Sequence, residues 1–238
     1  SRVRRYRAPG AGICPRHLCL WSQHDGCRHI RYRNRRKVLD FYNMERHNLM
    51  KARPNAAHEL IASLESRYKV DVITQNVDNL HERAGSTRVV HLHGELMKAT
   101  SSFQPNNPKY IRTLSAESPD IHVGDLAADG SQLRPFIVWF GESVPNIGLA
   151  ADCCQLADIF LIIGTSMAVY PAAGLLAYVP ADAEVYLIDP KPVDVHSRRP
   201  VHVIRRGASD GMRELMSQLG LDVPTSAGAG RPDSGQDR

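Results

Sequence analysis

From Val38 onward, apolar and polar positions fall into short periodic runs. "KVLDFYNMERHNLMKA" (37–52) and "NAAHELIASLESR" (55–67) return apolar residues every three or four positions. That spacing predicts two helices, each burying one face, with Pro54 at the start of the second. "KVDVITQN" (69–76) is a β-branched run ending in amides and predicts a buried strand. "NLHERAG" (79–85) predicts a short helix closed by Gly85. Further strands are expected over 88–96, 135–142, 158–166, 183–190 and 201–206. Further helices are expected over 147–157, after Pro171, and over 209–220, the last capped by Ser209 or Asp210.

Strands thus alternate with helices, and several strands are apolar throughout. This predicts an α/β fold whose parallel sheet carries helices on both faces. Residues 97–134 break the rhythm, being rich in Ser, Pro, Asn and Asp, and are expected to form an insert or long loop. In parallel sheets ligands sit beyond the carboxyl ends of the strands. The polar residues at those ends are Gln75, Asn76, Asp78, His93, Gly164, Thr165, Ser166 and Asp189. Each alone is an ordinary turn residue. Their recurrence at one strand end after another points to a shared crevice.

Composition changes this picture mainly at the amino end. The net charge of +5 conceals an asymmetry: residues 1–37 hold eleven Arg or Lys against the single acid Asp25, leaving 19 basic and 24 acidic residues in the remainder. Only the amino segment is basic, so nucleic-acid binding ranks low. No apolar run reaches membrane-span length and no secretory h-region is evident, which makes a cytoplasmic location the expectation and a membrane partner not expected. The five cysteines, an odd number, suggest free thiols. Cys14, Cys19, His24 and Cys27 match no compact zinc spacing. Gly10-Ala11-Gly12 reads as a tight turn that could approach a phosphate, although arginines precede it where an apolar strand would be expected. The domain reading is an aberrant basic segment over 1–36, a catalytic domain over 37–221 and a disordered tail over 222–238.

"TQNVDNLHERAGS", "VVHLHGEL", "PFIVWFGESVP" and "GTSMAVYPAAG", in that order, resemble the sirtuins, the NAD-dependent protein-lysine deacylases. The resemblance covers roughly residues 70–219 and is closest to the bacterial branch related to desuccinylases and demalonylases. It implies a Rossmann-like domain with a small inserted module, NAD as cofactor, acyl-lysine proteins as substrates, and transfer of the acyl group to ADP-ribose as nicotinamide leaves. By motif position His93 is the catalytic base, a role that suits an imidazole titrating near neutrality. His91, two residues earlier, fits a satisfied core residue better. Gly10, Ala11, Gly12 and Ile13 stand where the first phosphate loop stands. Gln75, Asn76 and Asp78 match the nicotinamide and ribose pocket, and Gly164, Thr165 and Ser166 the second phosphate and ribose loop. Asp189 stands where adenosine ribose is held, and Ala208 joins the cofactor set. Tyr42 and the segment Val138, Trp139, Phe140, Gly141 and Glu142 match substrate positions, the segment pairing with peptide as an added strand.

Three departures from the family pattern stand out. Residues 94–135 contain no cysteine and His122 as their single imidazole, so no zinc is expected where the family usually holds it with four cysteines. The acidic-acyl branch pairs Tyr with an Arg three residues on, but Glu45 stands there. The arginine lies one residue later, at Arg46, turned by about 100° and expected to point elsewhere. Acetyl-lysine is therefore the favoured substrate. After Ile13, "CPRHLCLWSQHDGCRHIRYRNRR" replaces the family's Phe-Arg lid stretch, a composition that a reading-frame disturbance produces and that divergence also explains. The expectation is an NAD-dependent deacylase, monomeric by preference. The competing reading is an impaired relative that binds NAD or ADP-ribose without turnover.

Overall fold

Helix α1 (Arg35–Lys51) forms because its apolar positions recur at helical spacing, burying Val38, Leu39, Tyr42 and Leu49 on one face. It begins two residues before the periodic run suggests. Helix α2 (Ala56–Ser63) is started by Asn55 rather than Pro54. The Asn55 side chain accepts from the His58 amide at 3.2 Å while His58 Nδ1 accepts from the Asn55 amide, a reciprocal cap. The expected helix over 55–67 tightens into a 3-10 turn at Leu64–Ser66. The computed structural model describes residues 34–164, 172–192 and 199–222. Gly10, Ala11, Gly12, Ile13, Thr165 and Ser166 lie outside the described residues, as does nearly all of the amino segment and tail.

Strands β1 (Val72–Thr74) and β2 (Val89–His91) pair in parallel, with the short helix α3 (Leu80–Arg83) between them. Strands β6 (Ile159–Ile163), β7 (Glu184–Ile188) and β8 (His202–Ile204) form a second parallel set. Strand β7 shows why a near-continuous apolar run suits this position. Val185 and Leu187 pack with helix α4 (Ile147–Gln155) and the 3-10 helix Ala172–Tyr178. Tyr186 and Ile188 pack with α2 and helix α5 (Ala208–Gln218) on the opposite face. Val90, Leu92 and the partly buried Ile73 join the first of these clusters, so the β1–β2 pair shares its core. The α/β, Rossmann-like expectation holds for these parts.

Elsewhere the pattern misleads. The run 88–96 is not one strand: β2 stops at His91, and β3 (Gly94–Ser101) starts three residues later in a different sheet. There it pairs antiparallel with β4 (Arg112–Thr113) and with β5 (Leu133–Ile137), in the order β4-β3-β5. Gly94 makes the switch with φ +86, and a Cβ at that position would run into the Phe136 carbonyl. A bulge between Glu95 and Ala99 then lets the Leu96 amide reach the Val77 carbonyl at 2.7 Å, tying the module to the loop after β1. The expected strand 135–142 ends at Ile137 and belongs to this antiparallel sheet. The helix after Pro171 is 3-10, and α5 starts at Ala208 with Gly207 as N-cap and no side-chain cap from Ser209 or Asp210.

The module is closed by a knot of hydroxyls and a carboxylate. Ser101 is fully buried; its Oγ donates to Asp129 Oδ2 at 2.5 Å and accepts from the amides of Phe103 and Gln104 at 3.0 and 2.9 Å. Ser131 Oγ lies 2.9 Å from the same hydroxyl and 2.7 Å from Asp129 Oδ1. The Ser101 bond is the main reason the Asp129 carboxyl titrates below its usual value. A tetrahedral zinc site needs four thiolate or imidazole donors of the usual kind. The described cysteines, Cys153 and Cys154, both lie in α4, and the module offers only His122. The donor set does not fit zinc.

Candidate active site

Three consecutive carbonyls after β1 interlock with the end of β2. Thr74 O accepts from the Leu92 amide at 2.9 Å, and Gln75 O faces His93 Nδ1 at 3.1 Å. Asn76 O faces His91 Nδ1 at 3.2 Å. The parallel register of Thr74 against His91 sets this up, because both chains leave their strands at the same end. A carbonyl can only accept, so Nδ1 of His93 carries the proton and its Nε2 keeps a lone pair. Burial holds the ring's pKa below the usual 6.5, with the Gln75 bond opposing. His93 is therefore a half-buried neutral imidazole with a basic nitrogen facing away from its tether.

Asp78 is the buried carboxylate of this loop. One oxygen accepts from the Leu80 amide at 3.1 Å at the start of α3, and Oδ2 has no hydrogen-bond partner among the described residues. Burial raises its pKa. A buried carboxylate oxygen without a protein partner calls for a donor from outside the chain, and a hydroxyl suits it. The second parallel set ends in a matching way. Gly164 follows β6 with φ +60 and open space where a Cβ would sit, its amide bonded to the Ile188 carbonyl at 3.1 Å. Asp189 follows β7, half-buried, with Oδ1 accepting from the Lys191 amide. Ala208 opens α5, whose first amides have no side-chain cap. An open glycine turn, an uncapped helix start and an orphaned carboxylate oxygen fit a dinucleotide.

The segment Val138 to Glu142 is a loop rather than a strand. The Val138 amide bonds the His93 carbonyl at 2.9 Å, which brings the loop beside the histidine. Beyond it the chain turns: the Glu142 amide returns to the Trp139 carbonyl at 2.9 Å, and Gly141 takes φ +82. Arg134 holds this turn from below. Its guanidinium pairs with both Glu142 oxygens at 2.8 and 3.0 Å and lies 3.4 Å from the centre of the Trp139 ring. On the other side Trp139 Nε1 donates to the Tyr42 hydroxyl at 2.7 Å. Phe140 is left 66% exposed at the tip, an apolar side chain offered to solvent.

Arg46 stays on the buried face of α1 with Tyr42, and its guanidinium turns to Asn43 and Leu96. Four residues from Tyr42 is only about 40° around the helix, so both lie on its inward face. Arg46 is fully buried, bonded to the Asn43 side chain and 3.5 Å from the Leu96 carbonyl, and burial lowers its pKa to about 10. Three further residues support the site: Arg134 under the turn, and Glu82 and Asn146, which meet the ring and the carbonyl of His91 at 2.7 and 2.9 Å. A single charge inside the apolar run "LRPFIVWF" marks Arg134 in the sequence, and no pattern marks Glu82 or Asn146.

Parallel strands that release amides, a histidine and a glycine turn at their carboxyl ends, next to a separately built antiparallel module, define a nucleotide-binding α/β protein. The chain belongs to the Sir2 family, whose model matches residues 2–171. It is 60% identical over 187 residues to an NAD-dependent protein deacylase of Bacteroides thetaiotaomicron, a match covering 79% of this chain and 80% of that protein. Among solved structures it resembles a Sir2 homolog–NAD complex with TM-score 0.69 and 31% identity, covering 84% of this chain and 80% of the other. It also resembles Sir2 bound to acetylated peptide with TM-score 0.66 and 27% identity, covering 82% of each chain. No helix among the described residues is long and apolar enough to cross a membrane.

Proposed function

We propose that the chain is an NAD-dependent protein-lysine deacylase that passes the acyl group to ADP-ribose, with His93 as its general base. The observation that supports this most is the tether of His93: Nδ1 is committed to the Gln75 carbonyl, which leaves Nε2 basic, and the His93 carbonyl holds the start of the Val138–Glu142 loop. Bound NAD supplies the electrophilic ribose carbon and the acyl acceptor. Nε2 of His93 takes the proton from a ribose hydroxyl, a transfer that needs a neutral imidazole near physiological pH. Asp78 Oδ2 accepts from a ribose hydroxyl, with Gln75 and Asn76 lining the nicotinamide side. Gly164, Asp189 and the start of α5 at Ala208 take the phosphates and the adenosine ribose.

Tyr42 and Trp139 wall the acyl-lysine channel, and the exposed Phe140 meets the peptide. Acetyl-lysine suits this channel better than an acidic acyl group. Glu45 occupies the position three residues after Tyr42, while Arg46 is turned onto Asn43 and Leu96. The test compares acetyl- and succinyl-lysine forms of one peptide with and without NAD. The expected result is NAD-dependent turnover with the larger kcat/KM for acetyl-lysine. Faster succinyl turnover overturns the substrate preference. NAD binding with no turnover of either peptide overturns the enzyme in favour of an impaired relative.

A further inference from the structure

His91 has an environment that a spacer histidine does not need. It is 4% exposed, and both ring nitrogens meet groups that can only accept. Nδ1 faces the Asn76 carbonyl at 3.2 Å, and Nε2 lies 2.7 Å from a Glu82 carboxylate oxygen. Its own carbonyl is held by Asn146 Nδ2 at 2.9 Å. A neutral imidazole has one N–H and satisfies one of these two acceptors; only the doubly protonated ring satisfies both.

We propose that His91 is a buried imidazolium that acts as the positioning residue of this site, holding the Gln75–Asn76 backbone so that the Gln75 carbonyl keeps His93 in its base-competent tautomer. The mechanical link is one peptide long. Asn76 O is the next carbonyl after Gln75 O, and the two receive His91 and His93 from alternate positions of one strand end. If His91 loses one proton, the charged Glu82 carboxylate, as the stronger acceptor, keeps the remaining N–H on Nε2. A lone pair on Nδ1 then faces the Asn76 carbonyl, and the loop loses its tether beside the catalytic carbonyl.

The surrounding charges support the cation. Glu82 on α3 and Glu95 on β3, the latter paired with Lys98 at 2.7 Å, both favour it, and Asp78 lies close enough for mutual attraction. His81, the like-charged candidate on α3, is kept neutral by burial, its pKa lowered to about 4. Burial works against the charge on His91, and the Glu82 bond and charge outweigh it, so its pKa lies above 6.5. The sign is that of a raised histidine. The ordering is complete at pH values where imidazolium persists and is lost as pH rises through the folded-state pKa.

This inference rests on His93 as base, but its first readout does not. Nitrogen-15 spectra of histidine-labelled full-length protein at pH 7, assigned with a His91→Gln variant, should show both His91 nitrogens protonated. In Glu82→Gln the side-chain amide can donate to a neutral ring, so His91 should carry one proton. The second readout is the pH profile of kcat. Wild type should lose rate on the alkaline side, about tenfold per pH unit beyond the His91 titration, and Glu82→Gln should lack that limb. A singly protonated His91 in wild type, or an unchanged alkaline limb in Glu82→Gln, overturns the proposal. If turnover itself is absent, the spectra still decide the protonation of His91, and only the deacylase reading fails.

Discussion

At the scale of single residues, the site depends on which groups can give a proton and which can only take one. Carbonyls of Gln75 and Asn76 place a proton on Nδ1 of both His93 and His91, and the Glu82 carboxylate adds a second on His91 Nε2, so the two rings come out in different states. His93 titrates below 6.5 because burial disfavours its cation. The acid limb of kcat/KM should therefore fall below pH 6.5, rate being lost as pH drops through it; an acid limb above neutrality would contradict this base. Gly94 is the other residue with no substitute. Alanine there adds a Cβ against the Phe136 carbonyl at a positive φ, and should cost roughly 3 kcal/mol in urea unfolding. A Gly94→Ala protein within about 0.5 kcal/mol of wild type would show that the switch from β2 to β3 is not built as described.

Among the elements, α1, α4, α5 and the strands of the second parallel set were legible because a single buried face leaves a clean period. The Leu92–His93 break was not. An alternating run reads as continuous, and what ends β2 is the positive φ of Gly94 together with a change of partner strand. The strand expected through Glu142 failed for a related reason. Arg134 and Glu142 fold residues 139–142 back on themselves, a tertiary contact that no apolar pattern records. The strand-end residues, in contrast, were readable from position alone, since parallel strands bring Gln75, His93, Gly164 and Asp189 to carboxyl ends. The inserted module stayed illegible because its buried apolar residues Ala99, Leu114, Ile121 and Leu133 are scattered without a period and polar side-chain bonds close the rest. Ser101 is its hub, and Ser101→Ala should cost about 1–3 kcal/mol by orphaning the Phe103 and Gln104 amides. An unchanged unfolding midpoint would mean the knot contributes no stability.

For the whole molecule, two covered faces of parallel strands supply the rigid frame, and the antiparallel module is fastened to it at Gly94, at the Leu96–Val77 bond and through α1. A module fastened by hydroxyls and a carboxylate should be indifferent to chelators. Overnight EDTA is expected to leave both Tm and deacylation unchanged, and metal analysis finding one tightly held zinc per chain would contradict that. The acidic end is different. Asp129 titrates low because Ser101 bonds it, so this contribution is present above the unfolded carboxyl pKa and lost as pH falls through the folded one.

Mass spectrometry of the products formed from NAD and an acetyl-lysine peptide by wild type and by His93→Ala, with NAD binding measured on both, tests the proposed role of a neutral His93 in acyl transfer to ADP-ribose. The expected result is acetyl-ADP-ribose and free nicotinamide from wild type, retained NAD binding in the variant, and roughly a hundredfold less product from it, on the order expected for loss of a general base. Product formation by His93→Ala at the wild-type rate would contradict it.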